Sequence, residues 1–264
     1  MPDAPTGGLQ IVVADDAEHL AHEASSLILT RLTAALESRG KASVILAGGS
    51  TPRPTHALLA SGIRNAGLAV GSVSWFFGDE RWVAVGDPQS NEGMARETLL
   101  GPLDAAEQSI NSWHAGSGDP VDCARRYAAL VRAGMGTPRT APDVLILGMG
   151  ADGHTASLFP DASVRLYDGR EIPVSRSLPV EAAAVMAGPT RGWRLTLCPD
   201  FLKTSRTVIF LVAGADKAPA LQRAREEDPR TPASWIRGSD TFFIATRDAF
   251  GPETPAYGPA LRHA

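Results

Sequence analysis

An acid and an imidazole stand two residues apart in Gly148-Met-Gly-Ala-Asp152-Gly-His154-Thr, a turn broken by three glycines. Histidine titrates near neutral pH, so His154 is a candidate general base and Asp152 a candidate partner that orients it. Gly148, Gly150 and Gly153 permit tight turns and let a ligand approach the backbone closely. A second polar turn, Gly48-Gly49-Ser50-Thr51-Pro52, precedes a helical stretch. Its glycines would let an oxyanion reach backbone N–H groups at a helix N-terminus, with the Ser50 and Thr51 hydroxyls as further donors. In a third turn, Gly78-Asp79-Glu80-Arg81, Asp79 could orient a hydroxyl-rich substrate. Arg81 could hold a phosphate or a developing oxyanion. Lys217, after Ala213-Gly-Ala-Asp216, and Arg194, in Trp193-Arg-Leu-Thr-Leu197, are two further cations that could reach a phosphate. Taken singly, each feature has an ordinary explanation: a solvated loop histidine, a capped helix start, a surface ion pair, an exposed strand face. Three loops of complementary chemistry point to a shared cleft.

Several chemistries lack their residues. Gly148-Met-Gly-Ala-Asp-Gly153 has the spacing Gly-x-Gly-x-x-Gly, but no acid closes a second strand about 20 residues on, as a dinucleotide site requires. No Gly-Lys-Ser/Thr completes a phosphate loop of the triphosphatase type, and no His-Glu-x-x-His offers zinc. No Gly-x-Ser-x-Gly elbow offers a serine nucleophile. His19, His22 and Glu23 are close in sequence but sit on a helix with its own apolar stripe. Neither a cofactor nor a metal is expected.

The elements that must position these turns alternate. Gln10–Val13, Ser43–Ala47, Val73–Phe77, the Asp143 strand, Val185–Ala187, Trp193–Leu197, Thr207–Val212 and Thr241–Ala245 read as strands. Helices are expected from Asp15 or Asp16 to Ser38, after Ser50 or Thr51 as cap, from Ser90 through Leu99, over Val121–Arg132, and from Asp216 to Arg225. Thr155 is expected to cap a short helix as well. Alternation implies parallel strands joined by right-handed crossovers, with ligands outside the carboxyl ends of the strands. Each of the three polar turns follows a strand.

The chain has 264 residues, 44% hydrophobic and 20% charged, an ordinary globular composition with room for one α/β domain. A net charge of −4 argues against a nucleic-acid or anionic-membrane partner. Cys123 and Cys198 fit no metal spacing. No run reaches the length of a membrane span, and the first residues lack the basic-then-apolar pattern of a signal peptide, so a cytoplasmic location is expected. Residues 8–250 read as one domain. Residues 251–264, rich in Pro and Gly, read as a flexible tail.

The ordered motifs Leu46-Ala-Gly-Gly-Ser-Thr-Pro52, Phe77-Gly-Asp-Glu-Arg-Trp82, Ser90-Asn-Glu-Gly-Met-Ala-Arg-Glu-Thr-Leu-Leu100 and Gly148-Met-Gly-Ala-Asp-Gly-His-Thr-Ala-Ser-Leu-Phe-Pro160 resemble the 6-phosphogluconolactonase family. Weaker matches continue through Arg194–Leu197, Ala213–Ala218 and Pro232–Ser234. The resemblance implies a Rossmann-like α/β fold, a mostly parallel sheet with helices on both faces. It also implies hydrolysis of 6-phosphogluconolactone to 6-phosphogluconate in the oxidative pentose phosphate pathway. By motif match, His154 becomes the general base, Asp152 orients it or the substrate, and Arg81 lies near the carbonyl or phosphate. Asp79 lies on the substrate, and Gly48, Gly49, Ser50, Thr51, Arg194 and Lys217 surround the phosphate, with no metal. Related amino-sugar phosphate deaminases follow Asp-Gly-His with a tail ending in Asn-Glu-Pro. Here Phe159 takes the place of that Glu. The stretch Val180–Gly192 lacks the proline-rich segment usual before Arg194, and Phe242–Ala249 lacks the usual Trp.

Overall fold

Runs of buried residues set the first layer. Val144–Leu147 and Thr207–Val212 are buried at every position, as strands covered on both faces must be. The computed structural model describes residues 8–134 and 141–251. Its strands are β1 (Leu9–Ala14), β2 (Ala42–Leu46), β3 (Val73–Phe77), β4 (Asp79–Arg81), β5 (Val144–Gly148), β6 (Ser163–Arg165), β7 (Glu171–Pro173), β8 (Ala182–Met186), β9 (Trp193–Leu197), β10 (Thr207–Val212) and β11 (Asp240–Thr246). Its helices are α1 (Ala17–Arg39), α2 (Pro52–Asn65), α3 (Asn91–Ala95), α4 (Pro120–Gly134), α5 (Pro199–Leu202), α6 (Ala218–Arg225) and α7 (Arg247–Phe250). Of the tail expected over residues 251–264, all but residue 251 lie outside the described ones.

Six strands form a wholly parallel sheet in the order β1-β11-β10-β5-β2-β3, with helices on both sides. The parallel order is the one expected from the alternation, and the class is the Rossmann-like α/β fold that the resemblance implies. From β2 the chain steps to β3 on one side, and from β5 it steps to β10 on the other. The reversal between β2 and β5 opens a crevice at their carboxyl ends, where such sheets bind ligands.

The helix ends follow their sequence signals at Asp16 and at Ser90, whose hydroxyl accepts from Gly93 N at 3.0 Å, and depart elsewhere. Asp16 caps α1 by accepting from the His19 N–H at 2.9 Å, and Gly40, at φ 69°, closes it by donating to Leu36 O. At the start of α2, Thr51 makes no side-chain capping bond. Thr155 caps nothing: its hydroxyl donates to Gly148 O at 2.8 Å and ties the turn back to β5. The expected helix from Ser90 is α-helical to Ala95 and continues to Leu100 as a wider π-helix.

The second sheet departs from the sequence expectation. β4-β9-β8-β6-β7 form five antiparallel strands, so the strands at Val185 and Trp193 do not join the parallel sheet. The reason is the connection. Only residues 187–192 separate β8 from β9, too few for a crossover, so the pair closes as a hairpin. Gly78 is the junction of the two sheets. Its N–H donates to Leu46 O of β2 at 2.9 Å, and its carbonyl accepts from Leu197 N of β9 at 2.8 Å. The chain thus leaves the parallel sheet at Phe77 and enters the antiparallel one at Asp79, where the sequence reading placed a loop.

Candidate active site

A cavity of about 280 Å³ opens at the carboxyl ends of β2, β3 and β5. Its wall holds Gly48, Gly49, Ser50, Thr51, Asp79, Arg81, His154 and Lys217. Eight of the ten residues singled out in the sequence therefore share one space. Asp152 joins through its bond to His154. Arg194 does not line this cavity. It faces an adjoining one of about 360 Å³, shared with Gly49, Ser50, Arg53 and Arg81. Lys217 and Arg194 thus line neighbouring spaces that share Gly49, Ser50 and Arg81.

The His154 turn is held by its own backbone. Gly150 N donates to His154 O at 2.9 Å, and Gly153 N to Gly150 O at 3.0 Å. Gly153 sits at φ 89°, open to glycine at little cost. A Cβ on Gly150 would overlap the imidazole, so glycine there makes room for the ring. Asp152 Oδ1 lies 2.5 Å from His154 Nδ1 and 3.1 Å from its backbone N–H. Partial burial raises the Asp152 pKa, but bonds from His154 and the charge of Arg191 more than offset it, leaving the carboxyl at about 2. An ionised carboxylate only accepts, so the His154 nitrogen facing it, Nδ1, carries a proton, and in the neutral tautomer this selects, Nε2 is the nitrogen with a lone pair. Phe159 lies against the imidazole with centroids 4.5 Å apart, and the Arg191 guanidinium sits 4.6 Å over the other partner, the Phe159 ring. Arg191 Nη2 is 3.6 Å from Asp152 Oδ2.

The opposite wall comes from the antiparallel sheet. Arg81 of β4 and Arg194 of β9 are direct partners in register, as are Asp79 and Thr196. Period-2 alternation sends Asp79 and Arg81 to one face and Glu80 to the other, where it is buried. Burial raises the Glu80 pKa against opposing bonds from the N–H groups of Glu92, Asn91 and Arg81. Burial, then the nearby charge of Arg81, lowers that of Arg194. Two guanidinium groups side by side repel each other unless an anion lies between or beside them. Arg194 is held by bonds to the Arg191 and Trp193 carbonyls, and Lys217 Nζ lies 2.9 Å from Asp216 Oδ2.

Sequence reasoning missed three contributors. Asn91 enters the cavity wall, Ser157 donates from Oγ to Asp79 Oδ2 at 2.7 Å, and Arg191 reaches Asp152. Asn91 and Ser157 lie inside recognisable motifs, but as apparent helix or turn residues. Arg191 lies in a loop with no motif at all. The arrangement offers a polarised base, several cations and backbone donors around one pocket, a set suited to proton transfer on an anionic substrate.

Fold and site together define a class: Rossmann-like α/β proteins with a polar cavity at the switch point of a parallel sheet. The chain belongs to the family of glucosamine-6-phosphate isomerases/6-phosphogluconolactonase, which it matches over residues 15–244. A 6-phosphogluconolactonase of Synechocystis is 36% identical over 236 residues, 86% of this chain and 91% of that protein. One of Nostoc is 34% identical over 215 residues, 80% of this chain and 82% of that protein. The structure of a 6-phosphogluconolactonase from Trypanosoma cruzi superposes with a TM-score of 0.78 at 25% identity, covering 94% of this chain and 98% of that one.

Proposed function

We propose that the chain hydrolyses 6-phospho-D-glucono-1,5-lactone to 6-phospho-D-gluconate, a step of the oxidative pentose phosphate pathway. The observation that carries this reading within the family is the neighbour of the base. His154 is paired with Asp152 on one side, and the apolar ring of Phe159 lies on it where a deaminase would carry a Glu. A phenyl ring can neither protonate nor orient an imidazole, so assisted opening of an amino-sugar ring lacks its second group. Lactone hydrolysis needs none, because attack at C1 itself expels the ring oxygen.

In this scheme Nε2 of His154 takes a proton from water as the water oxygen bonds to C1. The carbonyl electrons move onto its oxygen, which Arg81 faces as a charge partner. The tetrahedral species then collapses, the bond from C1 to the ring oxygen breaks, and the imidazolium returns its proton to that oxygen as it becomes the C5 hydroxyl. The new carboxylic acid ionises in water. Asp152 holds the ring in the tautomer that can act, and Asp79 orients substrate hydroxyls. The phosphate is held by Gly48, Gly49, Ser50 and Thr51 with Lys217 and Arg194. The partner is thus a small phosphorylated sugar and not a nucleic acid, and the setting is the cytoplasm. Among the described residues no helix is long and apolar enough to cross a membrane.

The test is lactone consumption corrected for spontaneous hydrolysis, run beside ammonia release from glucosamine 6-phosphate. Hydrolysis well above the spontaneous rate with no ammonia is expected. Ammonia release, with lactone lost only spontaneously, would reverse the assignment.

A further inference from the structure

At the first residue of α3 a carboxamide reaches between the Asp79 and Arg81 side chains of β4. Asn91 is 2% exposed and lines the same cavity as His154. Its Nδ2 donates to the Asp79 carbonyl at 2.9 Å and to Asp79 Oδ1 at 3.0 Å, and its Oδ1 accepts from Arg81 Nη1. The reverse orientation would set oxygen against two oxygens and an amino group against a guanidinium, so the partners fix the amide. With Ser157 on Asp79 Oδ2, both carboxylate oxygens are held. An acid and a base two residues apart on one face would otherwise be free to pair with each other. The carboxamide satisfies both and keeps them separate.

Asn91 is itself fixed from behind. The Glu80 carboxylate accepts from the N–H groups of Arg81, Asn91 and Glu92, each at 2.8 Å, and from Ser90 Oγ at 3.0 Å. Two of those N–H groups open α3, so a buried charge on the strand anchors the helix that carries Asn91. On the cavity side, a Cβ on Gly48 would overlap the Asn91 carboxamide. Glycine is therefore required at position 48 whether or not a ligand touches it.

We propose that Asn91 is a positioning residue that holds Asp79 and Arg81 apart and aimed into the cavity, and that position 48 is glycine to leave it room. The inference rests on the proposed lactone hydrolysis.

Asn91→Asp is the discriminating variant, because it keeps the volume and the acceptor for Arg81 but sets an oxygen against both Asp79 oxygens. If Asn91 only filled space, Asp would serve as well. We expect Asn91→Asp and Asn91→Ala each to lower kcat/KM for the lactone by roughly 10–100-fold, since small misplacements of such groups are costly. Melting temperatures of both variants separate lost fold from lost turnover, and the pairing with Gly48→Ala keeps the test open should either variant fold poorly. Gly48→Ala should also lower kcat/KM. Combined with Asn91→Ala, its loss should fall well short of the product of the two, because the added methyl then enters vacated space. Wild-type turnover by Asn91→Asp, or fully multiplicative losses in the Gly48→Ala/Asn91→Ala pair, would overturn the positioning role alone. A wild-type protein that does not exceed the spontaneous rate would overturn the reaction and the inference together.

Discussion

The two sheets bring different materials to a pair of adjoining cavities. From the carboxyl ends of β2 and β5 come backbone donors, the Ser50 and Thr51 hydroxyls, and the His154–Asp152 pair. From β4 and β9 come side chains with fixed charge: Asp79, Arg81 and Arg194. In the parallel half, the candidate residues sit in turns, each built by a short run of local sequence. In the antiparallel half they sit on strands, and the register between distant segments makes neighbours of Arg81 and Arg194. The proposed reaction places proton transfer on one wall and charge stabilisation on the other, and each placement can be broken separately.

The largest effect is expected where proton transfer is placed. His154→Ala should lower kcat by roughly 10²–10⁴-fold, the usual worth of a positioned general base, while the fold stays intact. Turnover near wild type in a folded His154→Ala protein would move the chemistry off the parallel wall altogether.

That wall is also the one the sequence displays most openly. Glycines, acid and imidazole lie within Gly148–His154, so spacing alone brings Asp152 to His154. The parallel order of the main sheet is legible for the same reason, since strand and helix alternate through β1, α1, β2, α2 and β3. The opposite wall is not legible in that way. Nothing local to Arg194 says that it will pair with Arg81, because antiparallel register depends on the β8–β9 hairpin and on the junction at Gly78. Arg191 is hidden for the further reason that its loop carries no motif, and Asn91 because a residue just after a Ser cap reads as helix start.

A second effect concerns stability beneath the parallel wall. His56 of α2 is wholly buried, one turn past the Gly48–Thr51 loop. Its Nε2 has no hydrogen-bond partner among the described residues, and Nδ1 lies 3.4 Å from Thr98 Oγ1. Burial, and then the charge of Arg53, pushes its pKa down from 6.5 to about 4. Between those values the unfolded chain binds a proton that the folded chain refuses. The stabilising contribution is therefore complete above about pH 6.5 and is lost as pH falls toward 4, by up to about 3 kcal/mol. Chemical denaturation across that window should show this slope, and His56→Leu should flatten it. An unchanged slope in His56→Leu would place the sensitivity elsewhere, with the carboxylates.

The smallest effect is the one that best separates the two walls. Lys217 belongs to the His154 cavity and Arg194 to the adjoining one, with Arg81 common to both. If the substrate phosphate spans Gly49 and Ser50, which line both spaces, each cation contributes a charge-assisted bond. Lys217→Ala and Arg194→Ala should then each cost about 1.5–3 kcal/mol in kcat/KM for the phosphorylated lactone. Unphosphorylated gluconolactone should be a poor substrate and nearly insensitive to either change. If the phosphate lies wholly on one side, only the cation of that side should respond, and the comparison between walls becomes an assignment of the binding pose. Equal losses on both lactones would instead give these cations a role at the reacting carbonyl, and the division of labour between the sheets would fail.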